Sequence, residues 1–308
     1  METRTPTVSV IIPCYNAKNT LRGCLGGLLE QDYPSFEIIA VDDNSSDGTG
    51  EFLKTFPGVR VILNKANHGP ALCRNKAIEA AKGEILLLID SDCLVDDKRL
   101  ISKHVEGLRE PPVDVLGGGV RGIGRGVVAK ADNYSHWFLN IPHSANKVGT
   151  HLTTNNMSVK RRVFDQMGYF DARLRTGEDT DFCERAVKAG FKLGLRSDAV
   201  VKHHDRENLG DFLKCFYTVG LDRIPTRRRS RHRYWYVLPF GFFSSLLYCL
   251  PLGLALALQV TFAWFPYDKR VVLFFPLIFL GRLAMTAGIV HYYYRLTFGD
   301  KREPRGEK

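Results

Sequence analysis

CxxC cysteine pairs and internal repeats are missing from this chain of 308 residues, and no leader segment is expected. The seven cysteines (14, 24, 73, 93, 183, 215 and 249) are scattered without a CxxC pair. That excludes a disulfide or zinc framework and predicts reduced packing residues in a cytosolic domain. The opening METRTPT is too short and polar for a signal peptide. Net charge is missing from residues 1–222, where 29 Lys and Arg balance 29 Asp and Glu. The formal +10 therefore comes from residues 223–308, with 14 basic against 4 acidic residues. The excess flanks the most apolar part of the chain, with Arg223, Arg227, Arg228, Arg229, Arg231 and Arg233 before it and a basic tail after Tyr294. Such placement points to a membrane boundary with its lipids as partner and excludes nucleic acid.

Charge is absent altogether from Tyr234 to Tyr267, a run of 34 residues. A spanning helix needs about 20 apolar residues, so this run can cross a bilayer despite Pro239 and Pro251. A second run, Val271–Tyr294, is interrupted by Arg282, for which a polar contact inside a helix bundle is expected. Basic flanks on both outer sides place both ends in the cytosol. The reading is a two-span hairpin in the cell membrane, preferred over a second run lying flat on the surface. The domain plan is then a cytosolic domain over 1–222, a basic juxtamembrane segment over 223–233, two transmembrane helices over 234–294 and a basic cytosolic tail over 295–308.

Before residue 112 the pattern is regular. Val8–Ile12, Glu37–Val41, Arg60–Leu63 and Ile85–Ile89 read as buried strands. Between them come three helices. Asn19 or Thr20 caps one through Leu29, Asp47 or Thr49 caps one to Thr55, and Pro70 opens one through Ala81. Such alternation predicts an α/β fold with a doubly wound, mostly parallel sheet flanked by helices. Right-handed crossovers gather the strand ends, with Pro13, Asp43 and Asp92, at one rim. Beyond Pro112, Val113–Leu116 is a short strand and Gly117–Gly126 a mobile loop, since its glycines do not follow G-x-G-x-x-G. Thr180–Ala189 reads as a helix stopped by Gly190, and Leu209–Val219 as an amphipathic helix.

Three acidic sites carry the chemistry. Asp42-Asp43 closes the second strand, Asp90-Ser91-Asp92 closes the fourth, and Glu178-Asp179 opens a late helix. Each alone is equally a turn or a helix cap. Ligands of open α/β sheets bind beyond the carboxyl ends of the strands, and two carboxylates one residue apart at such a rim suit a hard cation that shares substrate phosphates. Asp96 and Asp97 read as helix-start residues.

In order and spacing, VSVIIPCYN, EIIAVDDNSSDGT, NHGPALCRNKAIEAAKGEILLLIDSD and GEDTDFCERAVKAG resemble the family 2 glycosyltransferases over residues 7–205. The resemblance implies the GT-A fold, a Rossmann-like nucleotide-sugar domain, and inverting transfer. It also implies that Pro13 and Tyr15 line the base pocket, that Asp43 binds the nucleobase or ribose, and that Arg74 lies near the donor. Asp90 would face the ribose or sugar. Asp92 would ligate Mg²⁺ or Mn²⁺ in the DxD motif, joined by His203 with His204 as the fallback. Asp179 would be the general base, with Glu178 shaping the acceptor side. Processive synthases of the family carry Q-x-x-R-W before their membrane region, whereas here that region reads NLGDFLKCFYTVGLDR. A single addition onto a polyprenyl-phosphate, glycolipid or other cell-envelope acceptor is therefore expected. Two competing readings are a sugar nucleotidyltransferase, disfavoured because PCYNAKNTLRG lacks a glycine-rich basic loop, and a membrane protein that only binds nucleotide sugar.

Overall fold

Five consecutive apolar residues, Ile85–Ile89, form a strand buried on both faces, and the sheet grows outward from it. The computed structural model describes residues 6–109, 112–144, 147–149, 151–174, 176–230 and 241–299, with backbone alone in 147–149 and 223–230. The chain forms two compact units, 1–121 with 140–204, and 122–139 with 205–308.

In the first unit β1 (Val8–Cys14) is followed by α1 (Lys18–Leu29), β2 (Phe36–Asp42), α2 (Thr49–Leu53), β3 (Val59–Leu63), α3 (Pro70–Ala80) and β4 (Ile85–Ile89). These strands pair in parallel in the order β3-β2-β1-β4, with Pro13 opposite Val41 and Ile11 opposite Leu88. This is the α/β half that the sequence predicts. Neither Asn19 nor Thr20 caps α1, but Asp47 serves both helices, its Oδ1 accepting from the Thr49 N–H at the start of α2 (2.9 Å) and its Oδ2 from the Lys18 N–H at the start of α1 (3.1 Å). The Thr20 hydroxyl instead donates back to the Ala17 carbonyl, and Gly48, at φ 86°, takes the cap position of α2 beside Asp47.

Next come β5 (Cys93–Leu94), α4 (Leu100–Gly107), β6 (Val115–Ile123), α5 (Gly126–Trp137), β7 (Lys147–Gly149), β8 (Asn156–Lys160), α6 (Arg161–Met167), α7 (Glu178–Lys188) and β9 (Leu193–His204). β8 joins β4 antiparallel and β6 joins β8 antiparallel, completing a mixed sheet in the order β3-β2-β1-β4-β8-β6-β9-β5. The sequence expectation of a mobile loop over Gly117–Gly126 is corrected here, because Gly117–Ile123 continues β6. A Cβ on Gly118 would lie 2.1 Å from the Asn156 Nδ2 and 2.4 Å from the Ala199 carbonyl. The Asn156 amide donates to the carbonyls of Gly119 (3.0 Å) and Ala199 (2.9 Å), so the glycines admit a side chain that ties three strands. One core cluster, including Ile11, Ile39, Leu86, Leu88, Val159, Phe164 and Phe182, fills the space between sheet and helices.

The second unit is helical. α5 packs with α8 (Leu209–Ser230), α9 (Phe242–Trp264) and α10 (Phe275–Phe298), and a 3-10 turn (Lys269–Phe274) precedes α10. α9 and the turn with α10 are two C-terminal apolar stretches long and apolar enough to cross a membrane. Arg282 is buried as expected for a bundle contact, donating from Nη2 to the Ser135 carbonyl at 2.5 Å. Residues 231–240 and 300–308 lie outside the described residues. So do the side chains of Arg223, Arg227, Arg228 and Arg229, and with them the expected basic segment.

Candidate active site

Because β1, β2 and β4 run in parallel, their carboxyl ends share one rim. Pro13 and the exposed Tyr15 stand at the end of β1. The Cys14 carbonyl accepts from the Asp43 N–H at 2.8 Å, locking the ends of β1 and β2 together. The Asp43 carboxylate is buried. It accepts from the Asn64 amide (2.7 Å) and from the backbone N–H groups of His68 (3.0 Å) and Gly69 (2.7 Å), so it holds the turn that leads into α3. These donors outweigh burial and keep its pKa below the ordinary carboxylate value. Asn64, which also accepts from Lys76 Nζ at 2.6 Å, escaped the sequence analysis. An Asn between a strand and a turn carries no signal of its own.

The rim gains depth from Arg74. This residue of α3 is 3% exposed, and its Nη2 donates to Asp90 Oδ1 at 2.7 Å and its Nη1 to Glu178 Oε1 at 2.6 Å. One planar guanidinium thereby connects the end of β4 to the start of α7, residues 88 positions apart (178 − 90). Its Nε is buried without an acceptor among the described residues. α7 starts after Gly177, at φ 76°, and carries Glu178, Asp179 and Asp181 in its first turn, where the helix dipole favours anions. Asp179 Oδ1 accepts from its neighbour's N–H (Thr180, 2.6 Å). Burial raises the pKa of Glu178 and Asp179 above ordinary carboxylate values. Arg74 opposes this for both, while Asp179 adds to it for Glu178 and Asp90 for Asp179. Glu178, pushed up to about 7 beside a fixed cation, can take up a proton near physiological pH.

Asp92 sits past β4, and β5 follows at once. β5 pairs antiparallel with β9, Cys93 opposite His203, which brings the Asp92 Oδ2 within 3.3 Å of the His203 Nε2. Two residues past β5, Asp96 forms an ion pair with Lys202 of β9. Asp97 bonds the Arg99 N–H at 2.9 Å ahead of α4, the helix-start role the sequence suggests. His203 Nδ1 lies 3.0 Å from the His204 carbonyl. Since a carbonyl only accepts, Nδ1 carries a proton; Nε2 faces a carboxylate that likewise only accepts, so its lone pair can turn toward Asp92 only with a cation between the two. Adjacent ligands of an octahedral ion held at 2.0–2.1 Å stand about 3 Å apart. The pair thus fits a divalent cation in separation and tautomer, with the remaining positions left to substrate oxygens or water. Among the described residues no cluster of three or more His, Cys, Asp or Glu stands ready for a metal.

Behind the site His104 is buried, bonded to Ser158 Oγ (2.9 Å) and Asn156 Oδ1 (2.8 Å). The Asn156 amide nitrogen is committed to two carbonyls, so its oxygen must accept and His104 carries its proton on Nε2. Desolvation pushes the His104 pKa down to about 4. Arg74 as the link between Asp90 and Glu178, and His104 as the prop of β8, needed the tertiary fold to be seen.

Comparison with known proteins places this chain in a family of sugar-transferring enzymes. The model of Glycosyl transferase family 2 matches residues 9–168. Over 255 residues, 78% of this chain and 83% of the other, the chain is 29% identical to glycosyltransferase AglE of Haloferax volcanii. Over 276 residues, 82% and 84% of the two chains, it is 22% identical to a Methanococcus voltae enzyme. That enzyme is named dolichyl N-acetyl-alpha-D-glucosaminyl phosphate 3-beta-D-2,3-diacetamido-2,3-dideoxy-beta-D-glucuronosyltransferase. The mannosyltransferase PcManGT of Pyrobaculum calidifontis, solved with GDP-Man and Mn²⁺, shares the fold at a TM-score of 0.61 and 20% identity. That match covers 94% of this chain and 88% of that one.

Proposed function

As the chain belongs to Glycosyl transferase family 2, we propose that it moves one sugar from a nucleotide-diphosphate sugar to an acceptor hydroxyl, with inversion. The observation that carries this reading is the Arg74 bridge, which draws Asp90 and Glu178, and with it Asp179, to one end of the sheet. In the proposed step the acceptor oxygen attacks the anomeric carbon as the bond to the diphosphate breaks. Asp179 takes the hydroxyl proton, and the nucleoside diphosphate leaves with the bonding pair. One base opposite the leaving group gives a single displacement and hence inversion. Glu178 shapes the acceptor side and is held in place by Arg74. Asp43 and the turn it fastens, with Pro13 and Tyr15, receive the base and ribose. Asp90 faces the ribose or sugar.

Asp92 and His203 would hold Mg²⁺ or Mn²⁺, which when bound neutralises the charge developing on the leaving diphosphate. A lipid-linked or cell-envelope acceptor is supported by the name of the Methanococcus relative and by the apolar C-terminal helices. Those helices also support a seat on the cell membrane with the first unit in the cytosol. The test is a panel of UDP-, GDP- and dTDP-sugars with Mn²⁺ against the full chain. One donor should raise the melting temperature, since a ligand that binds the native state stabilises it by mass action, and membrane lipid should then trigger release of nucleoside diphosphate. The stabilisation should vanish in Asp92→Asn without a change in ligand-free melting. Binding without release would leave a sugar-nucleotide binder, and release of pyrophosphate from a sugar phosphate would mean nucleotidyl transfer.

A further inference from the structure

The apolar hairpin of the second unit is not built to stand alone in a bilayer. α8 runs along α10 in the same direction. The Phe212 ring lies against Gly281, the Gly220 backbone against the Met285 carbonyl, and the Tyr217 carbonyl against Gly288. Tyr217 also bonds His291, and Leu221 packs on Tyr292 and Tyr293. The turn end is fastened to α5. Trp264 Nε1 donates to the Tyr134 carbonyl at 2.9 Å, and the Tyr134 hydroxyl donates to Asp268 Oδ2 at 2.7 Å. Arg282, bonded to the Ser135 carbonyl, stacks over Phe138 (5.4 Å) and Phe216 (5.1 Å).

Length and composition permit either a crossing or an in-plane seat, and the packing distinguishes them. The apolar stretch 269–298 has its middle near residue 283. In a centred crossing Arg282, and Phe138 beneath it, would lie about 15 Å from either edge of a hydrocarbon core about 30 Å thick. Asn140, where the chain re-enters the first unit, is two residues beyond Phe138 and reaches about 7 Å at full extension. The polar unit would have to begin inside hydrocarbon. Asp211 and Lys214, exposed on α8 beside Phe212, would lie at the same depth, each costing roughly 2.5–3.5 kcal/mol at a helix centre. With the hairpin in the plane of the membrane both penalties disappear. α8 then turns Asp211, Lys214 and Thr218 to water, and the outer face of α9, the turn and α10 offers Phe243, Leu247, Leu250, Phe262, Leu273 and Phe298, all more than half exposed.

We propose that this face is a monotopic lipid-binding surface, in which α9 and α10 lie within one leaflet and the turn at Tyr267–Arg270 stays on the same membrane side as the first unit. Lipid is the occupant because the face is apolar along its length, while Lys269, Arg270 and Arg295 at its ends suit anionic headgroups. The proposal rests on the membrane partnership above and needs no sugar transfer, so an inactive chain would still report on it. The experiment uses the full chain in sealed membrane vesicles of either orientation with a membrane-impermeant maleimide. It compares Lys269→Cys, at an exposed turn position, with Lys54→Cys, an exposed marker on the first unit, and subtracts the unsubstituted chain as background. The expected result is that both variants label to the same extent from one side, that both lose labelling in the opposite orientation, and that alkaline carbonate leaves the chain with the membrane. Labelling of Lys269→Cys only from the opposite side, or only after detergent, would establish a crossing and overturn the proposal. Release by carbonate as a soluble oligomer would overturn it in favour of a second copy covering the face.

Discussion

At the scale of single residues, the site depends on a guanidinium almost wholly shut off from solvent. Arg74 has both terminal nitrogens on carboxylates, and its removal strands Asp90 and Glu178 beside each other without a counter-charge. Breaking a buried pair by deleting one partner costs about 3–5 kcal/mol. Arg74→Met should therefore lower the urea midpoint by a corresponding amount. Arg74→Lys, a point charge unable to fork to both carboxylates, should recover part of the stability but not the activity. Equal stability of Arg74→Met and wild type would show that the bridge is dispensable. His104 gives a second test, with a defined sign. Its pKa in the folded chain, about 4, is below the unfolded value near 6.5. The unfolded state therefore binds the proton first. The stability due to neutral His104 is complete above pH 6.5 and is lost as pH falls toward 4. Urea midpoints should drop over that window in the wild type, and His104→Gln, which keeps a donor for Asn156, should flatten the slope.

At the scale of elements, β6 and α1 make opposite predictions for the same substitution. Gly118→Ala in β6 drives a methyl into Asn156 and the Ala199 carbonyl and should cost about 1–3 kcal/mol or more. Gly26→Ala in α1 meets nothing within 4 Å and should stabilise by about 0.4–1 kcal/mol. Thermal melts of the two variants check both. The same contrast explains what could be read from the chain beforehand. β1 to β4 were legible because each is a largely apolar run closed by Pro, Asp or Asn, and the Pro70 and Gly190 signals mark real helix ends. β6 was not, since its run of glycines is explained by what crowds it, Leu152 at Gly117, Asn156 at Gly118 and the Ser197 carbonyl at Gly119, all far along the sequence. β5 was invisible at two residues long, although its pairing with β9 is what sets His203 beside Asp92. The acidic motifs were legible as motifs, whereas the Arg74 fork that joins two of them is a tertiary fact.

At the scale of the whole molecule, the second unit takes α5 from the middle of the sequence and packs it with the C-terminal helices, an association no linear pattern announces. The chemistry proposed lies in the first unit, and its pH dependence follows from burial. Both carboxyls at the start of α7 are raised, so the acid limb of the kcat/KM profile for transfer should lie above the ordinary carboxylate range. A limb at or below pH 4 would remove Asp179 from the role of base. The most direct measurement is nucleoside diphosphate release by the purified full chain with Mn²⁺, membrane lipid and the donor that stabilises it, compared with Asp179→Asn. The account predicts that the variant still binds donor, with unchanged thermal stabilisation, while turnover falls by at least about 10²-fold, the scale of a lost general base. Turnover at the wild-type rate in Asp179→Asn would contradict it.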